Sequence, residues 1–332
     1  MNSKPAALVL GGAGYIGSHV CRQLSLQGFQ PVSYDNLSTG HEWAVRWGPL
    51  VRADTSDFAA LQEALQRFDV HAVVHLAASI EVGESVQNPL KYYDNNVARS
   101  LNLLRAVQGS AVKAIVFSST AAVYGNPLTS AITENHPLWP TSPYGWSKLF
   151  VERMLEDQAN AGGIGWCSLR YFNACGAEPE HGIGEAHPNE THLIPRACMA
   201  LQGVIPPLQI YGNDYPTPDG TAIRDYIHVA DLAHAHVLAL RRLLEGGSSL
   251  SLNLGIGRGY SVKDVIAAAA KVSGRAVPHD IGPRRPGDVA VLVADASLAR
   301  STLGWVPSRI HLEDMIESAL RWHESGAGHA SG

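Results

Sequence analysis

A tyrosine and a lysine four positions apart stand at the predicted start of a helix, in the stretch "TSPYGWSKLFVE" (residues 141–152). Ser142 is a favourable N-cap and Pro143 a favourable first helical residue, so we expect the helix to begin here. Tyr144 then lies in the first turn, and Lys148 projects from the same face, with Cβ atoms about 5–6 Å apart. The ammonium group and the positive end of the helix dipole both favour an ionised phenol. The spacing alone is therefore compatible with a phenol whose proton is easier to remove, and the alternative is an ordinary surface contact.

Proximity to one lysine is not sufficient for this chemistry. Lowering a tyrosine pKa from about 10 toward 7 requires roughly 4 kcal/mol of preferential stabilisation of the anion. An exposed pair does not supply that much, so we expect a desolvated cleft and a second positive charge. The pair follows the apolar run "KAIVFSS" (113–119), which predicts a strand. Ligands of open parallel sheets bind at the carboxyl ends of strands, and Thr120, just past this run, offers a hydroxyl group there.

A glycine-rich loop is the second chemical feature. Gly11, Gly14 and Gly17 have GxxGxxG spacing directly after the apolar run "AALVL" (6–10). Such glycines permit a tight turn, and unpaired N–H groups at a helix N-terminus bind a pyrophosphate. Asp35 ends the next apolar run, where a carboxylate accepts hydrogen bonds from both ribose hydroxyls and repels a 2′-phosphate. This pattern favours NAD over NADP; a structural glycine turn with a solvated aspartate is the alternative.

Two further polar residues are placed where the same dinucleotide would bind. Asp54 follows the third predicted strand, within reach of an adenine amine, and Asn96 precedes a predicted helix in "YYDNNV". A capping or turn role explains either residue equally well. Both assignments therefore stay open at this point.

The elements that position these residues alternate along the first half of the chain. Near-continuous apolar strands separated by amphipathic helices predict an α/β fold with a doubly wound, Rossmann-type parallel sheet. Long stretches rich in Gly, Pro, Asn and His interrupt the pattern after residue 172. We expect an NAD-binding domain over 1–172, onto which segments such as 225–245 pack back. A smaller mixed α/β substrate-binding domain is expected over 173–330, including a short strand at 250–255.

Composition excludes several functional classes. The 332 residues carry a net charge of −5, with 45% hydrophobic and 17% charged residues, which is typical of a globular protein without a basic surface for nucleic acid or an anionic membrane. The run "AALVLGGAGYIG" is too short and too rich in glycine for a signal peptide or a membrane span. Four cysteines without CxxC spacing predict buried thiols in a reducing, cytoplasmic compartment. Fifteen histidines without HExxH or another paired pattern predict no metal site.

The motifs taken as a set resemble a known family. GxxGxxG, "FSSTAAVYG" and "SPYGWSK" resemble the extended short-chain dehydrogenase/reductases. "YDNLSTG", "LRYFNACGAEP", "GNDYPTPDGTAIRDYIHV" and "RRPGDV" are similar, in order, to the UDP-glucose 4-epimerases of that family, and the similarity covers nearly the whole chain. The resemblance implies tightly bound NAD and a UDP-hexose substrate. It further implies interconversion of UDP-glucose and UDP-galactose by reversible oxidation at C4 of the sugar, through a 4-keto intermediate.

The resemblance also implies residue roles. Tyr144 takes the proton of the sugar 4-hydroxyl, Lys148 lowers the phenol pKa and holds the nicotinamide ribose, and Thr120 bonds the 4-oxygen. The implied cofactor-binding residues are Gly11, Gly14, Tyr15, Ile16, Gly17, Asp35, Asn36, Asp54, Thr55, Asn96, Tyr144, Lys148 and Tyr171. The implied substrate-binding residues are Thr120, Tyr144, Asn173, His192, Leu193, Arg224, Arg285, Asp288 and Leu292. Among these, the two arginines match diphosphate ligands and the aspartate matches the acid at the uridine ribose.

Two positions depart from the family pattern. Ile80 stands where well-known bacterial relatives have a lysine near the cofactor phosphates, so the glycine loop must hold the pyrophosphate with less help. Leu292 stands where the space beside the hexose 2-substituent is limited. Strict UDP-glucose/UDP-galactose enzymes have a tyrosine there, and enzymes that admit N-acetyl sugars have smaller residues. Leucine is intermediate, which leaves open an epimerase that uses UDP-N-acetylhexosamine, UDP-xylose or UDP-arabinose.

The remaining alternatives concern reaction class and assembly. A nucleotide-sugar dehydratase of the same fold would need an acid/base pair directly after Thr120, where this chain has Ala121 and Ala122. A non-catalytic NAD-sensing protein would need neither Tyr144 nor Lys148. The family implies a homodimer, and the apolar stripes of "NNVARSLNLLRAV" and "GWSKLFVERML" fit a helix bundle between subunits. The alternative is that these stripes only face the sheet.

Overall fold

The computed structural model describes residues 4–129, 131–285 and 288–326. The strands are β1 Ala6–Leu10, β2 Gln30–Asp35, β3 Leu50–Arg52, β4 Val70–His75, β5 Ala114–Thr120, β6 Gly165–Tyr171, β7 Asn173–Cys175, β8 Leu208–Tyr211, β9 Ile223–His228, β10 Leu250–Leu254, β11 Gly259–Ser261, β12 His279–Gly282 and β13 Val291–Leu292. The helices are α1 Tyr15–Leu26, α2 Phe58–Arg67, α3 Val82–Gln87, α4 Pro89–Tyr92, α5 Arg99–Val107, α6 Pro143–Asn160, α7 Leu193–Gln202, α8 Val229–Leu244, α9 Val262–Ser273, α10 Ser297–Leu303 and α11 Leu312–Glu324. A π-helical turn, Tyr93–Ala98, joins α4 to α5.

Seven strands form one parallel sheet in the order β10–β6–β5–β4–β1–β2–β3. Alternate residues of its strands face opposite sides, because side chains along a strand have a period of two. Val9, Val74 and Val116 pack with α1 and α8 on one side, whereas Leu8 and Ile115 pack with α2, α5 and α6 on the other. The sheet is thus covered on both faces, which confirms the α/β, Rossmann-type prediction.

One strand of this sheet comes from beyond the expected boundary at residue 172. The sequence analysis assigned the strand at 250–255 to the second domain, but β10 lies parallel to β6, with Leu252 opposite Leu169. Leu252 and Leu254 are fully buried, so this strand needs apolar cover on both faces, which the edge of the large sheet provides. Helix α8 also packs against this sheet, as expected for segment 225–245.

The remaining elements form a smaller mixed α/β unit. Strand β9 pairs in parallel with β7 and β13 and antiparallel with β11, while β8 pairs with β12. Helices α7, α9 and α11 bury a separate apolar cluster that includes Ile194, Val265 and Met315. Within the described residues, no helix is both long and apolar enough to cross a membrane.

Candidate active site

The glycine loop closes tightly between β1 and α1. Gly11 has φ of +81°, and a Cβ atom at Gly17 would lie only 2.0 Å from the Gly11 carbonyl oxygen, so a side chain does not fit there. Gly14 is the N-cap of α1, which among the described residues has no side-chain cap and no acidic residue in its first turn. The first N–H groups of the helix, at Tyr15, Ile16 and Gly17, therefore remain available to an anion. The loop fits a dinucleotide pyrophosphate.

Asp35 ends β2 beside this loop. Its carboxylate accepts hydrogen bonds from the backbone N–H groups of Ala13, at 3.0 Å, and Leu37, at 2.8 Å. Burial raises the pKa of Asp35, while these two donors oppose the rise. The acid is thus tied to the glycine loop itself, at the position expected for contact with the adenosine ribose.

Asp54 has protein partners on both oxygens. Arg99 donates to Oδ1 and Oδ2 at 2.8 and 2.6 Å, and the amide of Asn36 donates to Oδ2 at 2.6 Å. Burial opposes ionisation, but hydrogen bonds from Ser56 and Asn36 and the charge of Arg99 hold the Asp54 pKa below its usual value. Thr55 is half-buried beside it. The sequence analysis did not identify Arg99, whose contact with Asp54 spans 45 residues.

Asn96 is a buried connector between two segments of the site. Its Oδ1 accepts from the N–H of Ser79, at 2.8 Å, and its Nδ2 donates to Ser79 O and to Ser147 Oγ, at 3.0 and 2.9 Å. Ser79 belongs to the loop after β4, and Ser147 lies on α6 between Tyr144 and Lys148. A capping role therefore does not describe Asn96, which fixes α6 relative to the loop that follows β4.

The sequence prediction for the start of α6 is confirmed. Ser142 Oγ accepts from the N–H of Gly145 at 3.2 Å, and Pro143 is the first helical residue. Thr120, at the end of β5, lies close enough to Tyr144 in the first turn of α6 to lower the phenol pKa by hydrogen bonding. The structure thus places the phenol and the threonine hydroxyl at one point of the sheet edge.

The expectation that one lysine is not sufficient to lower the phenol pKa agrees with the surroundings of Tyr144. Burial raises the pKa of Tyr144, and the hydrogen bond with Thr120 only partly opposes this rise. The buried ammonium of Lys148 donates to Ser118 O at 2.9 Å and lies 5.0 Å from the Phe117 ring centre. Burial lowers the Lys148 pKa to about 7. Burial of both groups agrees with the expected desolvated cleft, and the second positive charge stays a prediction.

Tyr171 ends β6 next to these groups. Its hydroxyl shares a hydrogen bond with Ser118 Oγ, and burial together with the charge of Tyr144 raises its pKa. Tyr15 donates from its phenol to the carbonyl oxygen of Gly176 at 2.6 Å, which joins α1 to the segment that follows β7. Both residues, expected at the cofactor, thus line the junction between the large sheet and the smaller unit.

The residues expected at the substrate are distributed along β7, β9 and the segment before β13. Arg224 pairs with Asp288 at 2.9 Å and donates to Val289 O at 2.9 Å. Arg285 is exposed, and its guanidinium stacks 3.8 Å from the Tyr211 ring centre. The ion pair thus connects Arg224, an expected diphosphate ligand, to Asp288, the acid expected at the uridine ribose. Arg285, the other expected diphosphate ligand, lies at the surface.

The other expected substrate residues also lie in these segments. Asn173 on β7 donates to Asp225 O at 3.2 Å. Leu193 is the first residue of α7 and packs on the apolar cluster of the smaller unit. Leu292 lies opposite Arg224 in the β13–β9 pair and packs against a cluster that includes Val123. Ile80, where a lysine was expected from the family pattern, is 41% exposed and brings no charge to the cofactor side.

His192 belongs to a cluster of four side chains that the sequence analysis did not identify. Its Nδ1 lies 2.5 Å from Glu185 Oε1, and His187 Nδ1 lies 3.3 Å from Glu185 and 3.2 Å from Glu190. The ligand atoms lie within 4.8 Å of one another, a spacing that suits a metal ion as well. Each carboxylate already pairs with an imidazole, so the cluster is satisfied without a cation, and the absence of a metal stays a prediction. The spacing E-x-H-x-x-E-x-H in "GEAHPNETH" was the available signal.

Comparison with known proteins identifies the family of this chain. The model of the NAD dependent epimerase/dehydratase family matches residues 7–255. The chain belongs to this family. It is 50% identical to the UDP-glucose 4-epimerase of Azospirillum brasilense over 324 residues, which are 97% of this chain and 93% of that protein.

Solved structures of family members have the same fold. The UDP-glucose 4-epimerase of Brucella ovis in complex with NAD superposes with a TM-score of 0.93 at 48% identity, over 95% of this chain and 97% of that one. The enzyme of Stenotrophomonas maltophila with bound NAD and formylated UDP-arabinopyranose gives a TM-score of 0.94 at 42% identity, over 98% and 100%. NAD is therefore the cofactor that the family and its solved members support.

Proposed function

We propose that the protein interconverts UDP-glucose and UDP-galactose by epimerisation at C4 of the hexose, using tightly bound NAD. The observation that carries the proposal is the contact between Tyr144 and Thr120 at the carboxyl end of β5, one helical turn from Lys148 and in a chain with the glycine loop of an NAD-binding sheet. The identity of 50% to a curated UDP-glucose 4-epimerase over nearly the whole chain supports the same reaction.

The proposed roles of the residues follow from their chemistry. Bound NAD supplies the acceptor, and later the donor, of the hydride at C4 of the sugar. The phenolate of Tyr144 accepts the proton of the 4-hydroxyl and returns it after the 4-keto sugar has turned over. Thr120 holds the reacting oxygen by a hydrogen bond, and Lys148 stabilises the phenolate from a buried position. Proton and hydride both return to the sugar, so the reaction is an isomerisation.

The structure suggests how the ligands would be held. The N-terminus of α1 would bind the NAD pyrophosphate, and Asp35 the adenosine ribose. Arg224 and Arg285 are planar cations suited to a diphosphate, and Asp288, already paired with Arg224, would meet the uridine ribose. The sugar would then extend toward Thr120 and Tyr144.

Turnover of UDP-galactose without added NAD tests the proposal. The purified protein is expected to produce UDP-glucose, because NAD stays bound through the cycle. Tyr144→Phe is expected to keep its NAD and to lose activity several hundred-fold or more, in line with loss of a general base, which typically costs about 10²–10⁴-fold. Tyr93→Phe, the same change at a tyrosine whose ring packs on Phe150, is the matched control and should keep full activity.

The alternatives predict different results in the same assay. A wild-type sample that contains NAD but turns over none of the UDP-galactose would favour an NAD-sensing protein. A 4-keto-6-deoxy product would favour a dehydratase, against which Ala121 and Ala122 after Thr120 already argue.

We also propose that the protein is a homodimer. Helices α5 and α6 enclose a groove of about 280 Å³ lined by Leu101, Leu104 and Met154. On the outer side of α6, Phe150 is 43% exposed and packs against Trp146 in a tilted arrangement, with 5.7 Å between ring centres. An apolar stripe of this kind on two neighbouring helices suits a four-helix interface with a second copy.

Sedimentation at micromolar protein tests the assembly. Phe150→Glu is expected to give monomers, whereas Phe58→Glu, on α2 and similarly exposed at 39%, should leave the dimer intact. A wild-type protein that sediments only as a monomer would refute the dimer. The proposed location is the cytoplasm, which the four free, buried cysteines support because unpaired thiols persist in reducing compartments.

A further inference from the structure

Helix α6 presents a third polar residue, Glu152, in line with the proposed catalytic pair. Tyr144, Lys148 and Glu152 follow one another at four-residue steps, so all three project from one face of the helix. Glu152 is only 5% exposed. Carboxylates are rarely buried unless they are paired, so its partners need to be identified. The mechanism described above uses the first two of these residues and gives no role to the third.

Each of the three residues contacts the end of β5. The side chain of Thr120 lies beside Tyr144, and Lys148 Nζ donates to the carbonyl oxygen of Ser118 at 2.9 Å. Ser119 Oγ, between these two strand positions, donates to Glu152 Oε1. Consecutive residues of the strand are therefore joined to successive turns of the helix, and a shift of the helix along its axis would break all three contacts.

The carboxylate of Glu152 is fixed by Arg170 on β6. The guanidinium Nε lies 3.0 and 3.2 Å from the two carboxylate oxygens, and its NH2 group lies 2.5 Å from Oε2. Arg170 also donates to the hydroxyl of Tyr124 at 3.1 Å, and Tyr124 donates to Asn253 Oδ1 on β10 at 2.6 Å. The contacts extend from α6 across three neighbouring strands at the edge of the sheet where the substrate is proposed to bind.

A buried ion pair is a poor source of stability, because removing two charges from water costs about as much as their attraction returns. Its geometry is nevertheless strongly fixed: the planar guanidinium binds the carboxylate through parallel hydrogen bonds, and neither charge can be left alone. Two apolar residues of similar size would fill the same space without fixing the position of α6 along β5. The pair is therefore suited to positioning.

We propose that Glu152 and Arg170 form a positioning pair for the epimerisation, which sets the register of α6 on β5 and thereby the placement of Tyr144 and Lys148 relative to Thr120. This inference rests on the proposed function, since it concerns the same reaction. Neither residue of the pair touches the sugar or the cofactor in the mechanism. A displacement of about 1 Å at a reacting group can cost about a hundredfold in rate, so a small shift of the helix is expected to matter.

Glu152→Gln is the principal test, because it keeps the size of the side chain and removes the charge. We expect kcat for UDP-galactose to fall by about ten- to a hundredfold, KM to stay within about threefold, and the NAD content to be unchanged. A purely structural role would lower the amount of folded protein without changing kcat per NAD-loaded molecule. Glu152→Asp, which restores the charge, is expected to recover part of the loss in kcat.

Ser119→Ala is the second variant, because removing the carboxylate leaves Arg170 buried and unpaired and can prevent folding. It keeps the ion pair and removes only the contact with β5, and its kcat is expected to fall at least threefold at unchanged KM. Asp157→Asn is the matched control, since Asp157 forms an exposed ion pair with Arg153 on the same helix, at 2.9 Å. Its kcat should equal that of the wild type.

The outcomes separate this proposal from the proposed function. An inactive wild-type protein would refute the epimerase itself. If the wild type is active and the folded Glu152→Gln and Ser119→Ala variants have the same kcat as the wild type, the positioning pair alone is refuted. It is also refuted if kcat falls equally in Asp157→Asn. A selective fall in kcat in the folded variants, with the control unaffected, supports it.

Discussion

The ammonium group of Lys148 donates a hydrogen bond of 2.9 Å to the carbonyl oxygen of Ser118, in the interior of the protein. Burial removes water from around Lys148 and thereby lowers its pKa to about 7. In such a poorly solvated position the charge of the ammonium group acts strongly on a neighbouring phenolate. Lys148→Met should therefore reduce kcat by about 10²–10³-fold, the usual cost of removing one preorganised electrostatic group. Steady-state assays with UDP-galactose measure this, and Lys113→Met, at an exposed lysine, should have no effect.

The hydrogen bond between Thr120 and Tyr144 is expected to set part of the pH dependence. Burial raises the pKa of Tyr144 and this bond lowers it, so Thr120→Val should raise the phenol pKa further. The base acts in its ionised form, so the rising, acidic limb of the profile of log kcat/KM should move to higher pH. Thr141→Val, at an exposed position beside α6, should leave the limb where it is. An unmoved limb in the Thr120 variant would contradict the assigned base.

The glycine loop offers a test of cofactor binding that does not depend on activity. Gly17→Ala places a Cβ atom 2.0 Å from the Gly11 carbonyl oxygen, so the loop must open and the N–H groups of α1 move away from the pyrophosphate. We expect purified Gly17→Ala protein to contain less than a tenth of the wild-type NAD, measured by cofactor release after denaturation. Gly83→Ala is the control: it lies in a helix, and an added Cβ meets nothing within 4 Å. Full NAD content in the Gly17 variant would remove the loop from the site.

The cluster around Glu185 should make stability depend on pH. Burial opposes protonation of His187, but hydrogen bonds with Glu185 and Glu190 raise its pKa from 6.5 to about 10. A histidine whose folded pKa is raised contributes stability that is complete below about 6.5 and is lost as pH rises through about 10. Despite burial, the charge of His192 and the hydrogen bonds of both histidines lower the Glu185 pKa, so that carboxylate contributes above its ordinary 4.5 and loses its contribution as pH falls below that value.

The two directions define the window for the measurement. His187→Gln should lower Tm most between about pH 4.5 and 6.5, and the difference from wild type should shrink toward pH 10. His279→Gln, at an exposed position, should show a difference that does not vary in this way. A pH-independent difference for His187 would show that the imidazole acts through packing and not through charge.

Leu292 provides the test of sugar specificity. Its side chain packs against the cluster of Val123, Tyr124 and Ile132, close to the end of β5 where the hexose is proposed to lie. We expect UDP-N-acetylglucosamine to be at best a secondary substrate, with kcat/KM well below that for UDP-galactose. Leu292→Tyr should reduce it further, because the ring fills the space beside the 2-substituent. Side-by-side assays of UDP-galactose, UDP-N-acetylgalactosamine and UDP-arabinose check this. Leu298→Tyr, at an exposed leucine, is the control. Comparable kcat/KM for plain and acetylated sugars in the wild type would contradict the prediction.

The sequence by itself determined the features that depend on near neighbours along the chain. The start of α6 follows from Ser142 and Pro143, the tyrosine–lysine spacing from the helical period, and the glycine loop from the need for positive φ and close backbone approach at Gly11 and Gly17. The alternation of apolar strands and amphipathic helices likewise predicted the doubly wound sheet. Each of these features depends on a few residues that are close together in the sequence.

Only the tertiary structure decided which distant residues meet. The contacts of Arg99 with Asp54 and of Tyr124 with Asn253 span 45 and 129 residues, and the placement of β10 beside β6 spans more than 80. No periodicity encodes such pairs, because they arise when two elements pack and desolvate groups that would otherwise stay in water. Burial is also what raised the pKa of Tyr144 where local spacing predicted a lower one. Solvent exclusion is a property of the packed chain and cannot be obtained from the spacing of two residues.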